Sequence, residues 1–151
     1  MQSFQSILSK KVDDIEAPKV PPVGGYICTV SGPAVPNERS QFLIMDIPFA
    51  INSAMDDVDP DSLAEFGNVA GTTIRHSFLF NKEDANEVAR TEYNLRTFLS
   101  DHLGIDCTGK SLGEALSEIQ GQRCVVYVRH DPDKNDPNRV YLRVRATAPL
   151  D

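Results

Sequence analysis

Two alternating runs near the end of the chain, RCVVYVR (123–129) and VYLRVR (140–145), are joined by the polar segment HDPDKNDPNR with its two prolines. Period-two alternation of β-branched and aromatic residues fits half-buried strands, so the pair reads as a β-hairpin. In the first run Cys124, Val126 and Val128 share one face, and Val125, Tyr127 and Arg129 the other. In the second, Val140, Leu142 and Val144 oppose Tyr141, Arg143 and Arg145. With the aliphatic set turned inward, the other face carries two tyrosines among three arginines. That composition suits a single-stranded nucleic acid, which needs π-faces for its bases and cations for its phosphates. The same residues also suit an ordinary solvent face, because cross-strand tyrosine pairs stabilise sheets by themselves.

Charge separates the hairpin from the rest of the chain. Residues 123–145 hold six Lys or Arg against three Asp, a net of +3 within a chain of net −7, so the remainder carries −10. Exposed charges are screened beyond about 8 Å at physiological salt, so a polyanion on the hairpin would feel the local arginines more than the distant carboxylates. The acidic total argues against indiscriminate binding to duplex DNA and leaves room for a local groove.

With 151 residues, 40% of them hydrophobic, the chain is large enough for one self-sufficient core. The expected division is an N-terminal arm or short amphipathic helix over 1–19 and one domain over 20–151. No apolar run approaches a membrane span, and MQSFQSILSKK lacks the order of a signal peptide, so a cytoplasmic protein without membrane contact is expected. Cys28, Cys107 and Cys124 are widely spaced without a C-x-x-C, and read as reduced thiols packed as small hydrophobes.

Along the chain, Phe4, Ile7, Leu8 and Ile15 recur at nearly helical spacing, which fits a short amphipathic helix over 3–15 or a frayed arm. Tyr26 to Val30 reads as the first strand, Ser31 to Gln41 as a turn-rich loop carrying Arg39, and Phe42 to Ile51 as the second strand. Pro48 predicts that the far end of this second strand is an edge or a bulge. Residues 52–71 hold Asp56, Asp57, Asp59, Asp61 and Glu65 with no basic residue, and read as a solvated acidic loop with one helical turn at Ser62 to Phe66. DDVDPD lacks the ligand spacing and central Gly of a calcium loop, so no metal is expected. Thr72 to Phe80 is the third strand. With Phe78 and Phe80 inward, His76 is a core-edge histidine and Arg75 points to the opposite face. A long helix follows, with Asn81 as its cap, Val88, Leu95, Phe98, Leu99 and Leu103 along one side, and Gly104 as its stop. Ser111 and Glu114 form a capping box for a shorter helix that buries Leu112, Ala115, Leu116 and Ile119.

The order β-β-β-α-α-β-β predicts a mainly β fold, an OB-fold barrel of five strands with two helices between strands three and four. Such barrels bind oligonucleotides on strands two and three and on the loops after strands one and four. The candidate nucleic-acid-binding residues are therefore Arg39, Arg75, Tyr127, Arg129, Lys134, Arg139, Tyr141, Arg143 and Arg145.

PPVGGY (21–26), the third strand ending in FLFN and running on to NLRTFLSDHLGI (94–105), and GQRCVVYVRHDPDKNDPNRVYLRV (121–144) together resemble a family of phage-encoded single-stranded-DNA-binding proteins with an OB-fold. The resemblance spans roughly residues 20–145 in element order and turn signals. It implies binding of single-stranded DNA during phage DNA replication or recombination, in the host cytoplasm, alongside replication or recombination proteins and as a small homo-oligomer such as a homodimer. Two features depart from it: the long acidic segment after the second strand, and the lack of any Trp as a stacking platform.

No nucleotide-binding glycine motif, H-E-x-x-H or G-x-S-x-G occurs, and His76, His102 and His130 are dispersed, so neither an enzyme nor a cofactor is expected. The competing reading is an OB-like protein-interaction module, because Tyr and Arg are also enriched at interface hot spots.

Overall fold

The computed structural model describes residues 3–150 and is built on six antiparallel strands. These are β1 (Gly24–Val30), β2 (Val35–Arg39), β3 (Phe42–Ala54), β4 (Thr73–Asn81), β5 (Arg123–Pro132) and β6 (Val140–Ala148). Hydrogen-bonded neighbours run β2-β3-β1-β5-β6, and β4 pairs with the other edge of β3. The sheet curls until β4 and β6 approach within 8 Å between Cα atoms, yet no ladder joins them. Four helices accompany the sheet: α1 (Phe4–Ser9), α2 (Pro60–Phe66), α3 (Ala85–Thr97) and α4 (Leu112–Leu116).

The mainly β expectation holds, and the strand list gains one member. Ser31 to Gln41 is not a loop throughout, since Val35–Arg39 forms β2 and pairs with β3 from Val35↔Asp46 to Arg39↔Phe42. The turn is Ser40–Gln41, with Ser40 at φ 56°, and it lacks the Asn-Gly or Asp-Gly pair that announces a two-residue hairpin. Pro48 also behaves otherwise than expected, because β3 runs straight through it with β4 paired alongside. Its carbonyl accepts from Ser31 N, so its nitrogen faces the edge where β2 has ended and β1 has not yet begun. No ladder bond is lost there. The bulge lies a few residues further on, between Ile27 and Cys28 in the β1–β3 register.

Alternation sorts the strands as their sequences predict. Tyr26, Cys28 and Val30 on β1, Ile47, Phe49 and Ile51 on β3, and Ile74, Phe78 and Phe80 on β4 are buried. On the hairpin Cys124, Val126 and Val128 are buried, whereas Leu142 and Val144 are only half-buried because β6 borders the unclosed seam with β4. Val125, expected on the outer face, is buried between Ile27 and Ala148 on the flanking strands. Burial pushes the Cys28 and Cys124 thiols up to about 12, so this cross-strand pair behaves as core.

Asp84, not Asn81, caps α3. Its carboxylate accepts from Asn86 N at 3.1 Å and Glu87 N at 3.2 Å, while Asn81 is still paired with Phe42 at the end of β4. The helix continues as a π-turn over Phe98–His102, which Gly104 ends at φ 74°. This turn buries Phe98 and Leu99. The expected capping box forms by half: Ser111 Oγ accepts from Glu114 N at 3.1 Å, while the Glu114 carboxylate accepts from the Ser111 hydroxyl at 3.3 Å rather than from its backbone N–H. Below α4, Ala115 and Ile119 are buried and Leu112 and Leu116 lean on the core.

The acidic segment is more ordered than a solvated loop. Asp57 accepts from Gly25 N through both oxygens, at 3.0 and 3.2 Å, Val58 is buried, and Asp59 caps α2 by accepting from Ser62 N at 3.0 Å. Near the N-terminus, Phe4, Ile7, Leu8, Val12 and Ile15 are all exposed. Among the described residues, no helix is long and apolar enough to cross a membrane.

His76 lies between the sheet and the π-turn, its ring 4.5 Å from that of Phe78 and 5.5 Å from that of Phe98. Burial, aided by the positive potential of His102, depresses its pKa from 6.5 to about 4. The unfolded chain therefore takes up the proton first. Stability contributed by neutral His76 is complete above pH 6.5 and is lost as pH falls toward about 4, by at most about 1.4 kcal/mol per pH unit. Urea unfolding at pH 7 and pH 5 is expected to show a larger loss in wild type than in His76→Phe; equal losses would refute this assignment.

Candidate nucleic-acid interface

Strand pleat and register decide which side chains meet on the outside of the sheet. Ile44 and Asp46 of β3, Thr73, Arg75 and Ser77 of β4, and Tyr141 and Arg143 of β6 point outward, and the β2 arm adds Asn37 and Arg39 along one side. Together they line a groove of about 750 Å³ that opens over the β4–β6 seam. Four of the nine residues singled out in the sequence, Arg39, Arg75, Tyr141 and Arg143, thus share one cleft, although they come from three strands.

The hairpin supplies the aromatic element. Tyr141 is 37% exposed, with the Arg139 guanidinium 5.1 Å and that of Arg143 5.6 Å from its ring centroid. Its hydroxyl donates to Asp133 Oδ2 at 2.7 Å, which fixes the ring's direction and pushes the phenol pKa up. Hydrogen bonds from Asn135 N and from Tyr141 hold the Asp133 carboxyl below its ordinary value.

Arg129 and Arg143 stand directly opposite each other on β5 and β6, an arrangement that like charges disfavour unless an anion lies between them. Asp131 provides it, with Oδ1 3.0 Å from Arg129 Nε and Oδ2 3.7 Å from Arg143 Nε. Arg75 lies 3.6 Å from Asp46 in the groove floor. Arg39 makes no ion pair among the described residues. The exposed Arg129–Asp131 and Arg143–Asp131 contacts contribute about 0–1 kcal/mol each, so a phosphate can displace them at little cost.

The remaining candidates are spread wider. Lys134 is exposed on the turn that carries Arg139. Tyr127 and Arg145 form a separate pair further along the hairpin, with the guanidinium 5.5 Å from the ring centroid. Tyr127 is half-buried and packs against Gly25, where a Cβ would meet its ring at 2.9 Å. Part of that ring is therefore already covered.

Sequence reasoning missed Asn37, Asp46 and Ser77. Asp46 carried a signal, as the one carboxylate inside the apolar run FLIMDIPF. Asn37 carried none, since its strand was read as a loop. Among the described residues, no three His, Cys, Asp or Glu side chains converge as metal ligands. No protein-family model matches the chain, and no curated protein matches it either.

Proposed function

We propose that this protein binds single-stranded DNA without catalysis, in the groove between the β2 arm and β6. The observation that carries the reading is Tyr141, an oriented ring flanked by Arg139 and Arg143 at the mouth of a cleft that also holds Arg39 and Arg75. A base stacks on the ring while its neighbours' phosphates meet the arginines. The body around the cleft is acidic, which favours a single strand held in a local groove over a duplex.

The strand plan supports an OB-type barrel. β1 lies between β3 and β5, β4 flanks β3, β6 flanks β5, and β4 approaches β6, with β2 as a hairpin inserted after β1. The groove then occupies the face where such barrels take oligonucleotides. A role in phage DNA replication or recombination follows from the family resemblance, with single-stranded DNA and the replication or recombination machinery as partners.

Titration against oligo(dT) of roughly 30 nucleotides, a duplex and an RNA of equal length tests this reading. Tighter binding to single strands is expected. If Arg39, Arg75, Arg139 and Arg143 each meet one phosphate, log K falls against log salt with a slope of about −3. A flat salt response would refute the groove. Absence of binding at low salt and high micromolar protein would favour the protein-interaction module instead.

A further inference from the structure

Resting on that single-strand reading, we propose that Asp46 selects which bases enter the groove, favouring guanine and rejecting thymine. Asp46 sits mid-floor on β3, opposite Val35 of β2 and Ser77 of β4, with its side chain 14% exposed. The Ser77 hydroxyl donates to Oδ1, and Arg75 Nη1 approaches Oδ2 at 3.6 Å. Both partners fix the carboxylate's direction, and each oxygen, at the groove wall, keeps a further lone pair to accept with.

A carboxylate in the floor of a polyanion groove is a liability unless the ligand brings donors to it. It repels phosphate, so the backbone must run along the arginines and away from the carboxylate, and the base edges must point inward. A carboxylate only accepts hydrogen bonds, so it discriminates by what each edge donates. Guanine presents N1–H and an N2 amino hydrogen side by side, matching two carboxylate oxygens. Cytosine and adenine each bring one amino group. Thymine offers a single N3–H between two carbonyl oxygens, which the carboxylate repels. The resulting order is guanine first, cytosine and adenine next, thymine last. Reading of the Watson–Crick edge is open to a single strand because that edge is unpaired.

The test is a competition titration with the full chain, using oligo(dT) and an oligonucleotide of equal length with isolated dG residues spaced along it. Wild type is expected to bind the dG-containing strand about fivefold tighter or more, the discrimination typical of a two-point base contact. Asp46→Asn keeps the shape, removes the charge and supplies a donor; it is expected to tighten oligo(dT) binding and bring the two strands within about twofold. Ser77→Ala, which retains the carboxylate but frees its Oδ1, is expected to weaken the preference without reversing it; a reversed preference would count against the assignment. Equal wild-type affinities for the two strands, or a preference that survives Asp46→Asn, overturn the assignment while leaving single-strand binding intact. Binding of neither strand overturns the single-strand reading itself, and this assignment with it.

Discussion

Tyr141→Ala is expected to weaken binding to oligo(dT) by about 5-fold to 150-fold, the loss of one stacked base worth about 1–3 kcal/mol. The fold should be untouched, because the ring is 37% exposed and its hydroxyl bonds only to the Asp133 carboxylate of its own turn. Tyr127→Ala is expected to behave differently. Its ring covers Gly25, so truncation uncovers a strand backbone and lowers stability, while the effect on affinity stays smaller than at Tyr141. Arg143→Ala should make the salt slope shallower by about 0.7 through loss of one phosphate contact, whereas both tyrosine variants keep the wild-type slope. Fluorescence titrations across a salt series, paired with urea unfolding, separate the three outcomes. Equal affinity losses at Tyr127 and Tyr141 would show that the strand passes both rings and that the cleft beside β2 is not the principal path.

Phe98→Ala is expected to cost about 3–5 kcal/mol of folding stability, the range for deleting a buried phenyl group. The site is unforgiving because Phe98 is the meeting point of several rings. It is 1% exposed and lies 5.4 Å from Phe78, 6.1 Å from Phe49 and 5.5 Å from His76, centroid to centroid. These neighbours belong to two strands and cannot collapse together into the space left behind. The cavity would also expose His76 to water, so its titration should rise from about 4 back toward 6.5 in any folded fraction. An NMR titration of the imidazole with urea unfolding checks both effects; a stability loss under about 1 kcal/mol would mean that the π-turn is not anchored by this ring.

The parts that were legible in the sequence are those where one periodicity acts alone. Val126 and Val128 could be placed inward, and Arg129 and Arg143 outward, because a strand with one core face allows a single register. Ser111 and Glu114 announced their helix for a similar reason, since the capping bonds are local. β2 was not legible. Its residues VPNER carry no apolar alternation, because the arm leans on β3 by backbone pairing and has little core of its own to cover. The groove was half legible for the same reason. Tyr141 and Arg143 declare themselves by alternation within one strand, whereas the meeting of Arg39 with Asp46 and Ser77 depends on a hairpin whose turn residues, Ser40 and Gln41, are not turn signals. Asn81 misled because a good capping side chain still has to stand where the backbone leaves its strand, and pairing with Phe42 holds it one turn too early.

The handover at Pro48 has a mechanical consequence. β3 gives one edge to β4 from Phe42 to Ala50 and divides the other between β2 and β1, and the division falls at the residue that cannot donate a hydrogen bond. A break in one ladder therefore has no amide through which to propagate into the other. Loss of the β2–β3 bonds would leave β1, with Tyr26 and Cys28 at its centre, every bond it has. One wall of the groove is thus held by a single ladder and the opposite wall by the rest of the sheet; under the proposed function, this lets a single strand enter from the side rather than by its end.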